Sequence, residues 1–152
     1  MRAAGRPGWR RYLWPAAYSA IGLVLAWIAV ACGGWWRVRA GALECGGGRL
    51  AALAARLPRR YAFSAITLGH VILGLDGPTL DAVRRHEQVH VWQYERWGLL
   101  FGPAYLASSL LQWLRGRRPY LDNRFEREAR GEAGRRIDAT RGREPGRQGN
   151  RP

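Results

Sequence analysis

Six residues, Arg85-His86-Glu87-Gln88-Val89-His90, constrain this chain more than any other segment. On an α-helix, positions i and i+4 lie about 40° apart, so His86 and His90 leave one face together and can share a metal ion. Glu87 is then directed into the same cleft. The chain holds only three histidines, and two of them stand in this motif. Leu80, Val83, Glu87, His90, Tyr94 and Trp97 recur at spacings of three and four, which sets Glu87 and His90 inside an apolar stripe. Burying an imidazole and a carboxylate without partners is costly, and one cation satisfies both. The pattern predicts a metal-binding helix capped by Gly77 or Thr79, running to about Trp97 and stopped by Gly98.

At 152 residues the chain has the length of one domain with appendages. Its formal charge is +14, and all 25 basic residues are arginine. Arginine without lysine, in an Ala- and Gly-rich chain, is a composition that GC-rich coding produces. Basicity is therefore a weak nucleic-acid signal here, and no nucleic-acid partner is expected. Arginine-rich surfaces also suit anionic lipid headgroups, which fits the next feature.

Tyr12 to Cys32 is free of charge and follows Arg2, Arg6, Arg10 and Arg11. A helix of that length spans a hydrocarbon core of about 30 Å, and Trp9, Trp14, Trp35 and Trp36 stand at its ends as an interfacial belt would. The expectation is a membrane protein with a single N-terminal span or signal anchor and membrane lipid as a partner. Arg37, Arg39 and Arg49 beyond the run leave its orientation open. Cys32 and Cys45 do not fix the compartment.

Trp35 to Gly48 reads as a Gly-rich linker or turn, and Leu50 to Leu57 as a short helix ended by Pro58. Between Tyr61 and Leu75, alternation through Ile66, Leu68, His70 and Ile72 predicts a strand or hairpin arm. That strand is placed to form a cleft edge, with Gly69, His70 and Val71 as candidate substrate-binding residues. Trp97 to Leu114 is a second uncharged run. A straight crossing there would part its flanks by nearly 30 Å, whereas ligands on both flanks of one zinc ion must meet within about 2 Å of it. Gly98, Gly102 and Pro103 supply breaks, so the reading is a short descent and then a helix from about Ala104 to Arg115 lying on the membrane surface or against the motif helix. Residues 132–152 read as a disordered Arg- and Gly-rich tail.

A catalytic zinc site normally takes three protein ligands and a water. Asn123-Arg-Phe-Glu-Arg-Glu-Ala129 offers Glu126, with Glu128 as the alternative, at the start of a helix capped by Asp122 or Asn123. These two carboxylates point about 200° apart, so only one faces the metal. Asn123 and Glu126 also satisfy a capping box, in which Glu126 would accept from the Asn123 amide and leave Glu128 as ligand.

His86-Glu87-x-x-His90 followed by Glu126-x-x-Ala129 resembles the gluzincin metallopeptidases, notably the membrane-bound branch of CAAX prenyl and heat-shock proteases. The longer text from TLGHVIL through HEQVHVWQYERWG to PYLDNRFEREA resembles small bacterial membrane-associated proteins with the same pattern. The resemblance covers about residues 61 to 130. It implies a zincin-like core, Zn2+ held by His86, His90 and Glu126, and Glu87 as general base. The chain departs from those proteases at Arg130, where they carry a supporting Asp, and it lacks their additional membrane helices. Cys45, preceded by Glu44, is similar to the upstream cysteine ligand of peptide deformylases, but the other signatures of that family are missing.

The expected class is α+β, mainly α. The expected divisions are a basic N-terminus and membrane helix over 1–34, a catalytic domain over 35–131, and the tail. The expected activity is hydrolysis of a peptide or protein substrate by a zinc-activated water, with His70 or an arginine helping to stabilise the oxyanion. The alternative is a non-catalytic zinc-binding or membrane-surface scaffold module.

Overall fold

A computed structural model describes residues 9–56 and 64–141. Its centre is a four-stranded sheet made of β1 (Gly34–Arg39), β2 (Ala42–Gly47), β3 (Ala65–Leu68) and β4 (Val71–Gly74), in the order β1-β2-β4-β3. β1 and β2 form an antiparallel hairpin, β2 and β4 run parallel, and β3 pairs antiparallel with β4. Side chains alternate across the two central strands. Leu43, Cys45, Val71 and Leu73 face helix α2 (Ala16–Ala31), whereas Ala42 and Ile72 pack with Leu80 and Val91 of helix α4 (Gly77–Trp97). The sheet thus lies between two helices, and the fold is α+β and mainly helical.

The first sheet strands occupy the segment expected to be a linker. The glycines that suggested a turn instead let backbones approach closely, and Cys45 is fully buried, its thiol directed at the Ala26 carbonyl. Neither cysteine is in a disulfide. Glu44 on β2 is also fully buried. It accepts from Arg37 Nε of β1 at 2.7 Å and from Arg84 Nε of α4 at 2.6 Å, and Asp81 pairs with both guanidinium groups. This charge cluster fastens α4 to the sheet.

The uncharged run at the N-terminus is not one continuous helix. It breaks at Trp14-Pro15 between α1 (Arg10–Leu13) and α2, because proline has no N–H to continue the ladder. α2 packs on the sheet through Gly22, Ala26 and Ala29, a buried small-residue stripe. Among the described residues, no helix is long and apolar enough to cross a membrane.

α3 (Gly48–Ala54) fills the place of the expected short helix; residues 57–63 lie outside the described residues. The segment expected as a strand or hairpin arm is a tight hairpin, with Gly69 and His70 at its turn and Val71 opening β4. Gly69 has φ +60°, and a Cβ there would collide with the Ser19 hydroxyl of α2, so only glycine closes this turn.

The cap of α4 lies one residue before Gly77 and three before Thr79, the expected positions. Asp76 is its N-cap, accepting from the Thr79 N–H at 2.6 Å, and Gly98 with φ +57° ends it. A 3-10 turn, Gly98–Leu100, leads into α5 (Phe101–Leu114), so the second apolar run is broken at Gly98. α5 starts earlier than expected because Gly102 and Pro103 fit its first turn, where proline lacks only an orphan N–H. α6 (Arg124–Arg141) continues well past residue 131, and residues 142–152 lie outside the described residues. Tyr94, Phe101 and Phe125 join α4, α5 and α6 in one aromatic cluster, with Tyr18 of α2 and Tyr105 against it.

Candidate metal centre

The motif helix brings His86 and His90 to the face that meets α6, and the start of α6 delivers Glu126. His86 Nε2 lies 3.1 Å from His90 Nε2, His86 Nε2 lies 3.2 Å from Glu126 Oε2, and His90 Nε2 lies 3.3 Å from Glu126 Oε1. Metal bonds of about 2.1 Å in a tetrahedral shell set neighbouring donor atoms roughly 3.3–3.4 Å apart. The three observed edges come close to that value, and these residues form a His/His/Glu group able to hold one ion. Glu126 is almost fully buried, and its Oε2 has no hydrogen-bond partner. With Oε2 facing His86 Nε2 and Oε1 facing His90 Nε2, this buried carboxylate and the two imidazoles make a donor set that suits a divalent cation.

The neighbouring shell fixes the tautomer of His90. Its Nδ1 lies 2.8 Å from Gln93 Oε1. The Gln93 amide nitrogen donates to the Phe125 carbonyl at 3.1 Å and to Glu128 Oε2 at 2.8 Å. Both of those partners only accept, so the amide cannot be flipped, and Gln93 Oε1 must accept from His90 Nδ1–H. In neutral His90 the Nε2 lone pair then points into the triangle. Glu128 is therefore placed behind Gln93, not in the triangle.

Asn123 settles the capping question. Its Oδ1 accepts from the Phe125 N–H at 2.9 Å, and its own N–H goes to the Tyr120 carbonyl at 3.2 Å. Its side-chain amide donates to Ser109 Oγ at 2.7 Å and to the Tyr105 carbonyl at 3.0 Å, tying α6 to α5. No capping box forms, and Glu126 is free to face the histidines. The Tyr105 hydroxyl donates to Glu126 Oε1 at 2.8 Å. Arg130 Nη1 stands 3.9 Å from Glu126 Oε2 while its other terminal nitrogen donates to the Leu121 carbonyl.

Burial by itself would raise the Glu126 pKa, but the adjoining His86 and His90 ring nitrogens and the His90 charge hold it well below the ordinary carboxylate value. Burial works on His90 in the downward direction, and Glu126 overrides it, raising the imidazole above its ordinary 6.5. Burial first, and then Glu126, push Tyr105 far up and Tyr120 to about 12. Both phenols are hydrogen-bond donors at neutral pH.

Glu87 is buried one position after His86, and Thr67 Oγ1 of β3 donates to its Oε2 at 2.7 Å. The strand before the motif helix thus holds the candidate base in place. The other candidates from that strand lie elsewhere. His70 Nε2 is 3.1 Å from Glu95 Oε1, its ring lies 4.5 Å from that of Tyr12, and its backbone N–H donates to Ser19 Oγ at 3.1 Å. Val71 packs in the α2 cluster. Neither these two nor Gly69 belongs to the His/His/Glu group. An open groove of about 510 Å³, lined by Ser19, Leu23, Leu43 and His70 among others, lies on the α2 side of the sheet and includes no residue of the triangle.

Gln93, Tyr105 and Thr67 are site residues that sequence reasoning missed. Gln93 had a signal: it follows His90 by three positions and so shares its face, and it is fully buried. Tyr105 sits in an uncharged run where nothing in the spacing marks it. Comparison with protein-family models, with curated proteins and with solved structures finds no match.

Proposed function

We propose that this chain is a membrane-associated, zinc-dependent metallopeptidase that hydrolyses peptide bonds. His86, His90 and Glu126 hold the ion and Glu87 is the general base. The observation that carries this reading is the triangle of donor atoms, two imidazole nitrogens and a carboxylate, at edges of 3.1–3.3 Å. A zinc ion held by these three residues would supply Lewis-acid activation of water and of a substrate carbonyl. Gln93 keeps the proton on His90 Nδ1. Glu87, steadied by Thr67, accepts the proton released as water attacks and passes it to the leaving amine. β3 is an outer strand of the sheet among the described residues, so an extended peptide laid along it passes beside Glu87.

A second reading, a zinc-binding module without catalysis, draws support from Arg130, which sets a cation beside a ligand where the resembling proteases carry an Asp. Zinc content and peptide cleavage, measured for the native chain, Glu87→Gln and Glu126→Gln, separate the two. A peptidase keeps zinc and loses cleavage in the first variant and loses zinc in the second. Native protein that binds zinc and cleaves no member of a broad peptide library favours the module.

A further inference from the structure

α2 turns only one stripe toward the sheet. The rest of its circumference, including Ile21, Val24, Leu25, Trp27 and Ile28, is exposed and carries no charge, and Trp27 is 73 % exposed. α5 repeats the pattern. It buries Phe101 and Gln112 and exposes Leu106, Leu110, Leu111, Trp113 and Leu114. The start of α2 touches the turn that leads into α5: the Tyr18 hydroxyl donates to the Leu99 carbonyl at 3.3 Å, a Cβ on Gly98 would collide with the Trp14 indole, and Leu99 and Leu100 there are exposed. An apolar surface of this extent is rarely left in water.

The distribution of charge indicates what covers it. No Asp or Glu occurs before Glu44, and none between Glu95 and Asp122, so both apolar helices lie in acid-free stretches. Arg10 and Arg11 begin α1, and exposed Arg115, Arg117 and Arg118 follow α5. Trp9, Trp14 and Trp113 are exposed at or near the ends of the two faces. Apolar surface edged by tryptophan and arginine complements an anionic bilayer surface. A second copy of this chain would set like-charged arginines against each other.

We infer that the outer faces of α2 and α5 embed side-on in one leaflet of an anionic membrane, and that α2 does not cross it. Sixteen helical residues measure about 24 Å against a core of about 30 Å. α2 is also bound to a sheet whose opposite face carries the Glu44, Asp81, Arg37 and Arg84 cluster, and a crossing would drag those charges into hydrocarbon. Lipid therefore reaches only the outward side of the helix. The inference rests on the membrane-associated part of the proposed function and not on its chemistry.

The test is flotation of the full chain with vesicles of phosphatidylcholine alone or with phosphatidylglycerol added. The native chain is expected to float with the anionic vesicles and much less with the neutral ones. Val24→Glu with Trp27→Glu, and separately Leu106→Glu with Leu110→Glu, are expected to abolish flotation while circular dichroism and zinc stoichiometry stay native. Arg115→Gln, Arg117→Gln and Arg118→Gln together are expected to weaken anionic binding about a hundredfold. Equal binding to both vesicle types, flotation unaffected by either pair of glutamates, or a native dimer that does not float overturns the inference. Glu87→Gln should still float. Lost flotation with intact cleavage of a soluble peptide sinks the membrane inference alone, and flotation without any native cleavage sinks the peptidase reading alone.

Discussion

His90 Nδ1 and the side-chain carbonyl of Gln93 lie 2.8 Å apart, and Glu128, 2.8 Å behind the Gln93 amide, fixes the direction of that bond. A carboxylate commonly supports a metal-binding histidine directly; here a glutamine is interposed, so the negative charge stays one residue away from the imidazole.

Gln93→Leu removes the acceptor that selects the His90 tautomer, and zinc affinity is expected to fall about 10- to 100-fold. Glu128→Ala should cost less, because the Phe125 carbonyl still holds the amide at 3.1 Å. Competition with a chromophoric chelator measures both. A complete loss of zinc in Glu128→Ala with retention in Glu126→Ala would reverse the assignment of the third ligand.

Tyr105→Phe tests the other support. The hydroxyl donates to Glu126 Oε1, while the ring stacks on Phe125 with a centroid distance of 6.2 Å. Phenylalanine keeps the stacking and frees the carboxylate, so zinc binding is expected to weaken about tenfold with little change in unfolding midpoint. A fall in stability with unchanged zinc affinity would make Tyr105 a packing residue only.

The motif helix, its stop at Gly98 and the break in the second apolar run were legible because each depends on local chemistry: helical period and a glycine at positive φ. Glu126 could not be chosen over Glu128 from spacing, since the choice depends on Asn123 using its side chain to cap the helix alone. The hairpin of β1 and β2 was hidden for a different reason. Its burial pattern comes from packing against α2 and α4, contacts distant in sequence, and its glycines read locally as a linker. The packing of α2 on the sheet was hidden in the N-terminal run because Gly22, Ala26 and Ala29 look merely apolar until a sheet is placed against them.

Acid and zinc should compete at this site. In the metal-free protein the His90 pKa is raised above 6.5, so its pairing with Glu126 stabilises fully below 6.5 and is lost as pH rises through the raised value. The Glu126 pKa is lowered below 4.5, so its share is present above 4.5 and lost as pH falls through the lowered value. Metal-free protein is expected to gain most from this pair between those limits. Zinc binding displaces the His90 proton, so affinity should climb from pH 6 to pH 8 with protons released. Calorimetry in buffers of different ionisation enthalpy reads that release directly, and a pH-independent affinity would contradict the ligand role of His90.

Glu44 bears on stability rather than on the metal. Burial alone would raise its pKa, but hydrogen bonds from Arg84 and Arg37 hold it below 4.5, so this contribution is present above 4.5 and lost on acidification below it. Removing one partner of a buried ion pair costs about 3–5 kcal/mol because the other charge is left without compensation. Here the arginine side chains are 28 % and 21 % exposed and can turn to water, and Arg37 also lies over the Trp35 ring at 4.8 Å. Glu44→Ala is therefore expected at the lower end, about 3 kcal/mol, in denaturant unfolding. Adding Arg84→Met should recover part of the loss, since it removes the stranded charge and leaves an apolar stem of similar reach on α4. No recovery in that pair would mean that the cluster holds α4 to the sheet through Arg37 and Asp81 rather than through the charge on Arg84.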